Sequence, residues 1–219
     1  MTDVAAFDFD GTLTEGGSVL QFLIALRGRR PVLTATAALA PHLAHGALVG
    51  GATADQAKER LFVRTLAGEP LTRIQRVSDR FARHHLDRHL RPQVQERFDW
   101  HRRRGDRVVI VSASPEVYVR VAGEVLGADG VVATRLAVDD QGVLTGHYQG
   151  ANCRGEEKLR RLREWIGDRG PEPARLWAYG NSRGDLRMLQ AADAGFNVGR
   201  LGRFGRLQAF PGLAAGPPD

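Results

Sequence analysis

Val4-Ala-Ala-Phe-Asp-Phe-Asp-Gly-Thr12 is an apolar run that ends in two carboxylates spaced two residues apart. In an extended strand, residues i and i+2 project to the same side, so Asp8 and Asp10 emerge together at the strand's carboxyl end. Two carboxylates so close repel, and both ionise readily only with a cation beside them. Gly11 lets the backbone turn sharply with no Cβ in the way. The pattern describes a divalent-metal site with one carboxylate free to attack phosphorus. A strand that simply closes in an acidic turn is the plainer alternative.

Three further stretches extend the pattern. Arg107-Val-Val-Ile-Val-Ser-Ala-Ser114 reads as a buried strand that presents Ser112 at its end. Pro115 falls at a first helical position, so Ser114 reads as an N-cap. A hydroxyl and backbone N–H groups at such a strand-to-helix turn suit a phosphate. Gly155-Glu-Glu-Lys-Leu-Arg-Arg-Leu-Arg-Glu-Trp165 places Lys158 at the start of an amphipathic helix. Lys158 and Lys58 are the only lysines among 31 basic residues. A compact ammonium and a guanidinium fork suit different sites, so each is notable. Finally, Arg175-Leu-Trp-Ala-Tyr-Gly-Asn-Ser-Arg-Gly-Asp-Leu-Arg-Met-Leu189 reads as strand, glycine turn and helix, with Asn181 and Asp185 in the turn.

In this order, over residues 7 to 185, the four stretches resemble the haloacid dehalogenase-like (HAD) superfamily, in its phosphoserine-phosphatase-like branch, subfamily IB. The resemblance implies an α/β fold: a Rossmann-like, mostly parallel sheet flanked by helices, with a small all-helical C1-type cap inserted after the first strand. It implies Asp8 as nucleophile and Asp10 as general acid and base. Ser112, Lys158 and the backbone N–H groups of Gly11 and Ala113 would bind the phosphoryl group. Mg2+ would rest on Asp8, the main-chain carbonyl of Asp10, Asn181 and Asp185. The family usually carries Asp where this chain has Asn181. An amide oxygen can coordinate a hard cation but brings no charge. Either the metal is then held less tightly or Asp185 takes more of its ligation.

Composition sets the bounds. The 219 residues, 42% hydrophobic and 26% charged, suit one α/β domain with a modest second module. A net charge of +6 admits nucleic acid, acidic lipid headgroups or phosphorylated metabolites. Genomic bias toward arginine explains it equally well. The lone Cys153 excludes an internal disulfide and fits a reducing, cytoplasmic setting. Strand residues and Asp8 occupy the place a signal peptide would need. The apolar stretch from Pro31 to Gly51 is interrupted by Pro41, His42 and His45, which argues against a spanning helix; contact with a membrane surface stays open and unsupported.

Helical patterns dominate the next eighty residues: Val19–Leu26, Pro31–His45 with an interruption at Pro41, a helix opened by Thr53 as N-cap, and Leu71–Leu90. Residues 15–90 are therefore expected to form the cap, and residues 1–14 and 91–219 the core. A hairpin is expected over Leu136–Thr145, a last strand over Ala194–Val198, and a loosely ordered tail from Pro211. His84, His85 and His89 read as a solvated or interfacial helix face rather than a metal site.

The implied reaction is magnesium-dependent hydrolysis of a small phosphomonoester through an aspartyl-phosphate. Amino-acid, amino-alcohol and sugar phosphates lead. A phospholipid-headgroup phosphatase, a phosphotransferase, and a non-catalytic nucleic-acid-binding protein on this fold are the alternatives, the last disfavoured. Selectivity is expected in the cap, with Glu15, Ser18, Lys58, Arg60 and Arg64 as its polar candidates. Oligomeric state is not legible.

Overall fold

Four apolar residues, every one buried, make the central strand β1 (Val4–Phe7). The computed structural model describes residues 2–170, 172–199 and 205–213. After β1 come α1 (Val19–Arg27), α2 (Arg29–Ala38), α3 (Ala40–Val49), α4 (Gly51–Leu66), α5 (Leu71–His89) and α6 (Pro92–Arg104). Strand β2 (Arg107–Pro115), α7 (Glu116–Leu126), β3 (Gly130–Thr134) and the hairpin β4 (Leu136–Val138) and β5 (Leu144–Tyr148) follow. The chain continues with α8 (Glu156–Gly167), β6 (Leu176–Gly180), α9 (Leu186–Ala191) and β7 (Ala194–Asn197).

The main sheet has the order β3-β2-β1-β6-β7, and every pairing in it is parallel. Strands covered on both faces read as continuous apolar runs, which is why β1 and β2 stood out in the sequence. Side chains of β1 alternate between two cores. Ala5 and Phe7 face a cluster with Phe98, Tyr118 and Tyr179, while Val4 and Ala6 face one with Trp165, Ile166 and Met188. Phe7 stacks on Tyr179 at 4.3 Å, and Tyr179 on Phe196 at 5.0 Å, so three adjacent strands are tied by one aromatic row. The Tyr179 hydroxyl pairs with His101 at 2.8 Å, and His101 with Asp106 at 2.7 Å.

Register aligns the site. Phe7 lies opposite Ile110 of β2 and Tyr179 of β6. Asp8, Ser112 and Asn181 therefore lie at the same carboxyl end of the sheet, within two residues of each other in register. Chain order reverses on the two sides of β1, and the crevice beyond such a reversal is where ligands bind in open α/β sheets.

Several local expectations are corrected. The interruption expected at Pro41 within Pro31–His45 falls instead at Leu39, between α2 and α3, with Pro41 in the first turn of α3, where its missing N–H costs nothing. Thr53 does not open the next helix, because Gly50 and Gly51, at φ of 75° and 55°, break the chain earlier and α4 starts at Gly51. Ser114 is not an N-cap: β2 runs on through Pro115, and the Ser114 hydroxyl turns instead to Asp10. Of the solvated or interfacial face expected for the histidines, His84 takes the solvated form and His85 the interfacial one, buried and stacked on Phe81 at 5.3 Å.

Helices α1 to α5 stand between β1 and α6, with α5 packed on α7 and α4 on β5. The hairpin β4–β5 is antiparallel, and β7 ends at Asn197. Of the expected loose tail, residues 214–219 lie outside the described residues. Among the described residues no single helix is long and apolar enough to cross a membrane.

Candidate functional site

Lys158 lies in the first turn of α8 and is 1% exposed. Its Nζ donates to Asp8 Oδ1 at 2.7 Å and to Asp185 Oδ1 at 2.5 Å. One ammonium thus bridges two buried carboxylates. Asp185 is held further by a capping box: its Oδ2 accepts from the Asn181 and Ser182 N–H groups and the Ser182 hydroxyl. Both its oxygens are engaged.

The electrostatics follow from that sharing. Burial and then the Asp185 charge push the Asp8 carboxyl up to about 7, with Lys158 pulling the other way. Burial would raise Asp185 too, but Lys158 and the Ser182 hydrogen bonds carry it below its ordinary value. Burial works to lower Lys158, and Asp185 and Asp8 outweigh it, so the ammonium is held above its usual range. Lys158 and Asp185 form the settled pair. Asp8 is the carboxylate in excess, and an added cation would hold it ionised.

Asp10 is aimed by two groups from different elements. Its Oδ1 accepts the Ser18 N–H at 2.7 Å, and its Oδ2 accepts the Ser114 hydroxyl. The second oxygen of Asp8 accepts the Thr12 hydroxyl at 2.9 Å. Ser112 is buried and its Oγ accepts the Ser114 N–H at 3.0 Å. The Gly11 N–H is given to the Thr14 carbonyl at 2.7 Å.

The residues at this edge fit a hard divalent cation. Asn181 Oδ1 is buried and has no hydrogen-bond partner, an orphan acceptor that a cation would satisfy. It adjoins Gly11, on the same turn as Asp8 and Asp10. Among the described residues no three His, Cys, Asp or Glu side chains form a metal cluster. Any cation here would need amide and main-chain oxygens beside Asp8.

Of the polar cap candidates, Lys58 and Ser18 reach the same edge, with Asn152, Thr134 and Tyr118, which the sequence did not single out. Lys58 Nζ donates to the Ala113 carbonyl at 2.6 Å and to Asn152 Oδ1 at 3.4 Å. Asn152 in turn donates to Asp55 at 2.6 Å and accepts from Thr134 at 2.7 Å. Burial holds the Lys58 ammonium down at about 8. The Ser18 hydroxyl shares a 2.8 Å hydrogen bond with the buried Tyr118. Asn152 stands just before the Lys158 helix, and that adjacency was its only available signal. Glu15, Arg60 and Arg64 are exposed. Cys153, next to Asn152, is buried; its N–H donates to the Thr134 hydroxyl, and burial pushes its thiol up to about 11.

A model of the haloacid dehalogenase-like hydrolases matches residues 5–190. The chain belongs to this family. It is 36% identical over 193 residues to a protein named CicA from Caulobacter vibrioides, covering 87% of this chain and 83% of that one. It is 32% identical over 197 residues to a phosphoserine phosphatase of Halobacterium salinarum, covering 89% and 85%. In structure it resembles a protein of unknown function from Bordetella pertussis, with a TM-score of 0.81 at 22% identity over 97% and 98% of the two chains. It also resembles a substrate-bound phosphoserine phosphatase, with a TM-score of 0.63 at 21% identity over 90% and 86%. The fold is that of a HAD-like hydrolase, and it is phosphoserine-phosphatase-like.

Proposed function

We propose that this protein is a magnesium-dependent phosphomonoesterase that works through an aspartyl-phosphate on Asp8. The observation that carries the reading is the bridge from Lys158 to Asp8 and Asp185, at the sheet edge where Ser112 and Asp10 also end. The resemblance to phosphoserine phosphatases and the family match support it.

An Asp8 carboxylate oxygen attacks phosphorus as the bond to the leaving oxygen breaks, and Asp10 gives that oxygen its proton. Asp10 then takes a proton from the water that attacks the aspartyl-phosphate, which frees phosphate and regenerates Asp8. The Ser18 N–H and the Ser114 hydroxyl hold Asp10 in place for both transfers. Lys158 offsets charge on Asp8 and on the phosphoryl oxygens, and the Ser112 hydroxyl binds one of them. Backbone N–H groups near Ala113 complete the cradle. Asn181 Oδ1, Asp8 and the Asp10 carbonyl would hold Mg2+, with Asp185 fixing Lys158 and the Asn181 turn. The cation supplies charge neutralisation and alignment of the transferring group.

The substrate class is a small phosphorylated metabolite with an alcohol leaving group, enclosed by a cap made of residues 15–90. Ser18 and Lys58 are the cap groups nearest the chemistry. A reducing, cytoplasmic setting suits the free Cys153.

The test is magnesium-dependent phosphate release over a panel of amino-acid, amino-alcohol, sugar and lipid phosphates. Alcohol acceptors are included to separate hydrolysis from phosphoryl transfer. Asp8→Asn should abolish turnover with the fold intact; hydrolysis retained in that variant refutes the nucleophile.

A further inference from the structure

The helix pair α2–α3 carries an unusual surface. No Asp, Glu, Lys or Arg stands between Arg30 and Asp55, in a chain that is 26% charged. The inner face is committed to the protein: Val32, Ala35 and Leu39 are buried, and a Cβ on Gly46 would lie 2.9 Å from the Ala54 Cα of α4. The outer face has no cover. It exposes Leu33 at 50%, Leu48 at 82% and Val49 at 58%, the three most exposed large hydrophobics among the described residues. Pro31, Ala37, Ala38, Ala40, Ala44 and Ala47 are exposed between them. Single exposed apolar residues are ordinary, but a contiguous uncharged face marks an interaction surface.

Shape and charge select the partner. The two helices meet at a bend of 67°. At about 1.5 Å per residue, each is about 15 Å long, half of what a hydrocarbon core requires. The pair can enter a bilayer surface but not cross it. Charged groups at its margin are cationic: Arg29 and Arg30 open α2, and Arg60 borders a groove of about 510 Å3 with Pro41, His42 and His45. Arg29, Arg30 and Arg60 are exposed, and their guanidinium groups make no ion pair or hydrogen bond among the described residues. The nearby acids face elsewhere, Asp55 toward Asn152 and Arg154 and Glu59 toward Tyr148. An apolar face rimmed by free arginines complements an anionic lipid surface, with side chains in the acyl boundary and guanidinium groups among phosphates. Pairing with a second copy fits less well. It would bring like charges together, and the face has no Trp, Tyr, Phe or Met to anchor a protein interface.

We propose that the α2–α3 pair is a membrane-docking surface that seats this protein on anionic bilayers. The inference stands apart from the assignment of the catalytic residues. It would hold the enzyme at a membrane whichever phosphomonoester it cleaves.

The experiment is vesicle flotation of the full chain with phosphatidylcholine alone and with phosphatidylcholine and phosphatidylglycerol at 3:1. Binding should favour the anionic vesicles by at least about tenfold and fall in 0.5 M salt. Arg29→Ala with Arg30→Ala should weaken it by about fivefold for each arginine removed. Leu33→Glu with Leu48→Glu should abolish it. Both variants alter exposed residues with no part in the proposed chemistry, so their melting temperatures and soluble-substrate phosphate release should match the parent. Absence of binding, or equal binding by parent and both variants, overturns the proposal. So does a concentration-dependent dimer, seen by light scattering, that Leu33→Glu with Leu48→Glu dissolves.

Discussion

The Asn181 side chain lies so close to Gly11 that a Cβ on the glycine would fall 2.0 Å from its Nδ2. Gly11 itself sits at φ +80°, in the left-handed region. Two constraints therefore meet at one residue. Gly11→Ala should lower stability by about 1–3 kcal/mol and displace the Asn181 amide. The displacement should also reduce the rise in melting temperature that Mg2+ produces in the parent. Calorimetry with and without Mg2+ checks both, and a variant that keeps the full Mg2+ effect would sever Asn181 from the metal.

Lys158→Met removes the charge that two buried carboxylates share. Breaking a buried ion pair costs about 3–5 kcal/mol, since it leaves charge uncompensated. Denaturant titration should show a loss of that order, partly restored by Mg2+, and phosphate release should vanish. A loss below about 1 kcal/mol would mean that Asp8 and Asp185 do not depend on the ammonium.

Lys58 ties α4 to the carbonyl beside Ser112, and Asp55 on the same helix ties it to Asn152. Lys58→Ala should lower kcat/KM by about tenfold, as expected when a positioning contact is lost near the reacting groups. The two ties share Asn152, so Lys58→Ala and Asp55→Ala should be non-additive in a double-mutant cycle. Strict additivity would mean the two contacts act independently.

Burial holds both His85 and His101 below the ordinary imidazole value of 6.5. His85 also faces His89 and His84, which lower it, and Asp10, which raises it. His101 faces Asp106, which raises it, and Arg104 and Arg97, which lower it. Both rings stay neutral when folded at a pH where the unfolded chain takes up protons. Stability is therefore whole above pH 6.5 and declines as pH falls toward the folded-state values. Neither nitrogen of His85 has a partner, and the ring lies among Phe9 and Phe81. His85→Phe should raise stability at pH 8 by about 1 kcal/mol and flatten the acid decline. A lower melting temperature at pH 8 would show that those nitrogens are needed.

The sheet was readable because β1 and β2 are buried on both faces, so their apolar runs are unbroken, and each ends in a residue that apolar packing does not explain. Asp8 and Ser112 could be picked out for that reason, Lys158 by the scarcity of lysine and its place at a helix start, and Asp185 by the glycine turn that follows a strand. The helices between β1 and α6 were legible in number but not in their joints. Gly50 and Gly51 override the cap that Thr53 offers, and Pro41 sits harmlessly in a first turn. Ser114 was misread because a serine before proline has one local use, capping, and its actual partner, Asp10, lies 104 residues away. Asn152, Thr134 and Tyr118 were missed for the same cause: their roles arise from contacts between elements, which no local pattern records.

Cys153 gives the molecule a built-in clock. Its sulfur is shielded from solvent and held as the unreactive thiol, directly next to Asn152, where helix α4 is fastened down. Alkylating reagents can reach it only during excursions that lift this loop, so the rate of modification of the unaltered protein times how often the fastening lets go.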